Sequence, residues 1–175
     1  SCDYQRPEMY GEMIGKAIKA DSLLQDIQLI MLSSLGHDGD IKERLGKIGF
    51  AASLVKPARQ SELLETLVNV WTEHCRHRSM DITNDHGPGP KTHEVPISDS
   101  PDRPFIGTRV LLAEDNATNQ IVGAMMLRNL GCHVDIAANG REAMQMIEKV
   151  PYEIVLMDWE MPEMGGFVDT AAVRR

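Results

Sequence analysis

The 175-residue sequence predicts an α/β protein with a doubly wound, parallel sheet. Two observations carry this prediction. Short, nearly unbroken apolar runs alternate with segments of helical period, as parallel strands buried on both faces alternate with their crossover helices. The alternation pauses at a stretch of turn-forming residues and then restarts in the same style. Strands separated by helices of about 10 residues form right-handed βαβ units on one sheet.

The elements follow in order. Ile27 to Leu32 is an apolar run ending in Ser33-Ser34, the pattern of a buried strand. Ile41, Leu45 and Ile48 repeat at helical spacing, and Gly49 closes that helix. Phe50 to Val55 reads as a second strand, ended by Lys56-Pro57. Ser61 is the expected N-cap of an amphipathic helix with Leu63, Leu64, Leu67, Val68 and Trp71 on one face. From about His74 to Pro104, breakers such as Gly87-Pro88-Gly89-Pro90 predict a flexible linker. Arg109 to Ala113 is then a strand, Asn119 to Leu130 a helix closed by Gly131, and His133 to Ala137 a strand. Arg141 to Lys149 is a helix, and Tyr152 to Met157 is a strand that ends on Asp158.

Composition narrows the function. An apolar content of 42% supports a packed core, and the net charge of −8 argues against a nucleic-acid or anionic-membrane partner. No apolar run reaches the ~20 residues a membrane span needs. Cys2, Cys75 and Cys132 are an odd, scattered set, so a reducing cytoplasmic setting is expected rather than a disulfide framework. His74, His77, His86 and His93 match no compact zinc spacing and read as part of a solvated linker. The start at Ser1-Cys2-Asp3, without Met, gives the expectation of a piece of a longer protein.

One signature occurs twice. Asp3, Pro7, Glu8, Met9 and Gly11 recur in register as Asp158, Pro162, Glu163, Met164 and Gly166, a domain-sized separation of 155 residues (158 − 3). The second copy has an acidic context. In a doubly wound sheet the functional crevice lies at the carboxyl ends of the strands. There the 109–113 strand delivers Glu114 and Asp115, and the strand ending at Met157 delivers Asp158. Converging carboxylates repel unless a hard divalent cation relieves them. One left free can accept a phosphoryl group. The alternative is that Asp115-Asn116 is only a helix N-cap.

Leu111-Leu112-Ala113-Glu114-Asp115-Asn116, together with Leu156-Met157-Asp158-Trp159-Glu160-Met161-Pro162, resembles the first half of a response-regulator receiver domain. The resemblance implies Asp158 as phosphoacceptor and Asp115 as a Mg2+ ligand. It implies that Glu114 acts through water and that the Glu160 carbonyl completes the metal site. Asn116, Asn119 and Gly140 also match the family, whereas Gly165 replaces its usual Asp. Residues 3–72 resemble the second half of a receiver, with Asp3 as that copy's acceptor, Ser33 as switch hydroxyl and Lys56 as the cation that pairs with the acceptor. A cis Lys56-Pro57 bond is implied as well. Arg6, Tyr10 and Ser53 depart from the pattern, which leaves open a degenerate first receiver that acts only in docking.

The resemblance implies a flavodoxin-like sheet of order 2-1-3-4-5 and tandem receivers of a hybrid sensor histidine kinase. The expected division is 1–73, the C-terminal half of one receiver; 74–107, a linker; and 108–175, the N-terminal half of the next. The implied partner is a histidine kinase or histidine phosphotransfer domain, in the cytoplasm, with the parent anchored in the inner membrane. Whether the chain is an enzyme stays open, since no kinase catalytic region is legible. The two halves are complementary, and the expectation is that they dock as one circularly permuted receiver, with exchange between two chains as the other way to pair the same edges. Asp3 and its following helix would then compete with Asp158 and the C-terminal residues for one position. A haloacid-dehalogenase-type phosphatase is disfavoured because Glu160 stands where its acid Asp would be. A nucleotide-binding flavodoxin-like module is disfavoured because Glu114-Asp115-Asn116 has the wrong charge for a phosphate loop.

Overall fold

The computed structural model describes residues 10–34, 39–81 and 104–161. Its elements are α1 (Tyr10–Ala20), β1 (Gln28–Ser33), α2 (Gly39–Ile48), β2 (Ala52–Val55) and α3 (Gln60–Asp81), then β3 (Arg109–Ala113), α4 (Ala117–Asn129), β4 (His133–Ala137), α5 (Gly140–Lys149) and β5 (Ile154–Asp158). The five strands form one parallel sheet in the order β2-β1-β5-β3-β4. Counted with β3 first, this is the expected 2-1-3-4-5 order, circularly permuted in the chain.

The seam between the two parts of the chain is β1 against β5, in register from Gln28↔Ile154 to Leu32↔Asp158. Bonds from Gln28 N to the Glu153 carbonyl (2.9 Å) and from Trp159 N to the Leu32 carbonyl (2.7 Å) extend it at both ends. Strand periodicity of two sorts side chains onto the two faces. Leu29, Met31, Leu111, Val155 and Met157 meet Ile14 and Ile18 of α1, Leu45 of α2 and Ile147 of α5. Ile30, Val110, Leu112 and Leu156 meet Leu63, Leu67, Val70 and Trp71 of α3 and Ala124 and Leu127 of α4. Each apolar layer therefore draws on both sides of the seam.

Several boundaries differ from the sequence reading, each for a local reason. The strand expected from Phe50 starts at Ala52, because Phe50 N bonds back to the Leu45 carbonyl at 3.0 Å. Helix α3 begins at Gln60, so Ser61 is not its cap; Arg59 N donates to the Glu62 carboxylate (3.3 Å), as in half a capping box. Its buried stripe is Leu63, Leu67, Val70 and Trp71, and Val68 is 42% exposed. That is the i, i+4, i+7, i+8 row counted from Leu63. The helix runs on to Asp81, past the expected boundary at 73. His74 is thus helical, with Nδ1 2.8 Å from Gln28 Nε2, rather than part of a solvated linker. Helix α4 starts before Asn119 because the Asn116 side chain caps Thr118 N and Asn119 N. Strand β5 starts at Ile154, and Tyr152 instead donates its hydroxyl to Asp135 at 2.7 Å. Gly49 and Gly131 end their helices at φ +110° and +97°, where L side chains are strained.

Two consequences are testable. A Cβ at position 15 would lie 2.4 Å from Phe50 Cε2, so Gly15→Val should cost about 2 kcal/mol in urea unfolding. Burial, aided by the charge of Glu153, pushes the Cys132 thiol up to about 12. Iodoacetamide at neutral pH should therefore label Cys132 only after denaturant is added, as peptide mass spectrometry can check.

Candidate functional site

The carboxyl edge of the sheet brings Glu114, Asp158 and Lys56 into direct contact. Lys56 Nζ is 2.7 Å from Asp158 Oδ2 and 2.9 Å from Glu114 Oε2. Glu114 and Asp158 are each 2% exposed, and Lys56 is 17% exposed. Asp115 is exposed at the mouth, and an oxygen from each of Glu114, Asp115 and Asp158 lies within 4.8 Å of the others. Three carboxylates thus face one ammonium. That surplus of negative charge and the oxygen-only donor set fit a hard divalent cation.

Local structure fixes each group. Lys56 N donates to the Ser33 carbonyl at 2.8 Å, and the cis Lys56-Pro57 bond follows directly. Ser33 is buried at the end of β1. Glu114 N donates to the Ala137 carbonyl (3.0 Å), and Glu114 Oε1 accepts from Asn116 N and Asn119 Nδ2, both at 3.2 Å. Asp158 Oδ1 accepts from Glu160 N at 3.0 Å. Burial opposes the Lys56 charge, but hydrogen bonds to Asp158 and Glu114 and their attraction outweigh it and hold its pKa above the ordinary value. Burial pushes the Glu114 carboxyl up; Lys56 and Asn119 pull it back, Asp158 adds to the rise, and the net shift is upward.

Asn116 caps α4, and the neighbouring Asp115 places a carboxylate oxygen beside those of Glu114 and Asp158. Asp3 and Arg6 lie outside the described residues, as do Gly165, His86 and His93. Sequence reasoning missed Ser34, whose hydroxyl donates to Glu160 Oε2 at 2.8 Å, and Gln120, whose side chain donates to the Glu114 carbonyl at 2.7 Å. The Ser33-Ser34 pair after an apolar run was the signal for the first. Among the described residues, no helix is long and apolar enough to cross a membrane.

Comparison with known proteins agrees with this geometry. Residues 110–175 match the family model of the response regulator receiver domain. Hybrid signal transduction histidine kinase B of Dictyostelium discoideum is 42% identical over 66 residues, 38% of this chain and 3% of that protein. Signal transduction histidine-protein kinase BarA of Escherichia coli (strain K12) is 27% identical over 159 residues, 90% of this chain and 14% of that protein. Aerobic respiration control sensor protein ArcB of the same strain is 36% identical over 99 residues, 57% of this chain and 13% of that protein. The chain thus spans only a small part of each relative. The match to BarA runs across both sides of the seam. The five-stranded parallel sheet and the strand-end acidic cluster with its lysine agree with the match of residues 110–175 to the response regulator receiver domain.

Proposed function

We propose that the chain is a phosphoacceptor module of a two-component phosphorelay, taking a phosphoryl group from a phosphohistidine onto Asp158. The observation that carries this reading is a buried strand-end Asp158 paired with Lys56 and grouped with Glu114 and Asp115. The Asp158 carboxylate attacks phosphorus, the P–N bond of the phosphohistidine breaks, and its electron pair stays on the imidazole nitrogen. Lys56 follows the charge from the carboxylate to a phosphoryl oxygen, and the Ser33 hydroxyl donates to another. Glu114, Asp115, Asp158 and the Glu160 carbonyl would hold Mg2+, which neutralises charge on the equatorial oxygens. The donor is a histidine kinase or histidine phosphotransfer domain, on the cytoplasmic side. Residues 1–73 and 108–175 are read as halves of two tandem receivers joined by 74–107, with Asp3 the first copy's acceptor.

Labelling by acetyl phosphate with Mg2+ tests the assignment. Wild type and Asp3→Asn should incorporate phosphate with a hydroxylamine-sensitive bond, and Asp158→Asn should incorporate none. Label that survives in Asp158→Asn and disappears in Asp3→Asn would overturn it.

A further inference from the structure

Glu160 has its amide on the acceptor and its carboxylate elsewhere. Its N donates to Asp158 Oδ1 at 3.0 Å, so the residue sits at the rim of the acidic group. Yet its carboxylate is not among those whose oxygens gather within 4.8 Å, which come from Glu114, Asp115 and Asp158. Ser34 accounts for this. Backbone pairing of β1 with β5 runs one residue past the acceptor, where Trp159 N donates to the Leu32 carbonyl at 2.7 Å. Side chains make the next rung, with Ser34 Oγ donating to Glu160 Oε2 at 2.8 Å. Both residues are exposed, so water can satisfy either one, and the bond rescues no buried polar group. What it does is choose a place for the charge.

We propose that Ser34 is a positioning residue: it holds the Glu160 carboxylate beside the end of β1, outside the acidic group, and so keeps the approach to Asp158 open to an anionic phosphoryl donor. This role rests on Asp158 as the phosphoacceptor. Electrostatics give its direction. Lys56 already faces the carboxylates of Glu114 and Asp158, with Asp115 beside them. A fourth carboxylate, released from Ser34, is drawn toward Lys56 and toward a divalent cation in the group, and it repels the phosphate oxygens of the donor. Losing the Ser34 hydroxyl should therefore tighten cation binding and slow phosphoryl transfer. A hydroxyl that served only to hold the fold together would weaken both when removed.

Calorimetric titration of the full chain with Mg2+, together with labelling by acetyl phosphate at saturating Mg2+, tests it. Ser34→Ala should bind Mg2+ about threefold more tightly and take up label about threefold more slowly than wild type, with the urea midpoint unchanged when Mg2+ is absent. Ser34→Thr keeps the hydroxyl and should match wild type in both. In a Glu160→Ala background there is no carboxylate to hold, so adding Ser34→Ala should change neither quantity. Three results would overturn the proposal: no change in Ser34→Ala, a weakening of both quantities, or the same effect of Ser34→Ala with and without the Glu160 carboxylate. Wild type that takes up no label at all would instead remove Asp158 as phosphoacceptor, and the role of Ser34 with it.

Discussion

Lys56→Ala is expected to destabilise the protein by about 3 kcal/mol, because it leaves two buried carboxylates facing one another without their cation. The loss should be partly recovered by a divalent cation. Adding Mg2+ to the variant would replace one positive charge with another among the same oxygens, so the urea midpoint should rise more steeply with Mg2+ than in wild type. Lys56→Met, which keeps the stem and removes the charge, should behave like Lys56→Ala; if it is as stable as wild type, the loss in Lys56→Ala is packing and not charge. The pH dependence has a definite sign. The Lys56 pKa is raised in the fold, so its contribution is complete below the ordinary lysine value of 10.5 and is lost as pH rises through the higher folded value. Wild type should therefore lose stability at alkaline pH more steeply than Lys56→Met.

The strand-end acids were legible because a buried parallel strand leaves a plain mark, and the residue after it must stand at the carboxyl edge. Glu114, Asp115, Asp158 and Lys56 all follow that logic, and the cis bond before Pro57 agrees with the family pattern. The permuted order was legible for a related reason: each part alone would leave a bare strand edge and an uncovered apolar face. Contacts made only after the parts meet were not legible. Ser34 and Glu160 are 126 residues apart, and no local pattern pairs them. Glu12 carries no local mark of burial, and only the packing of α1 on α2 makes it a buried partner of Arg44. Helix starts failed where a side chain other than the obvious serine supplied the cap, as Glu62 does at Arg59.

Val155→Asp should abolish cooperative unfolding and remove protection from every strand at once. Val155 is 0% exposed at the centre of the sheet, paired with Leu29 of β1 on one side and Leu111 of β3 on the other. An unpaired carboxylate there costs several kcal/mol, a large share of the roughly 5–15 kcal/mol that holds a domain together. The same change at Ile121, 64% exposed on α4, should cost under about 0.5 kcal/mol and serves as the control. The informative readout is β1 and β2. They lie in a different part of the chain from Val155 and reach it only through the seam. Their amides should exchange as fast as those of β3 and β4 in the variant, because β1 without β5 exposes an unpaired edge and α1 loses the Val155 and Met157 part of the layer it packs in. Protection that persists in β1 and β2 while β3 and β4 exchange freely would mean that the first part folds without the second, and the single permuted sheet would no longer be the unit of stability.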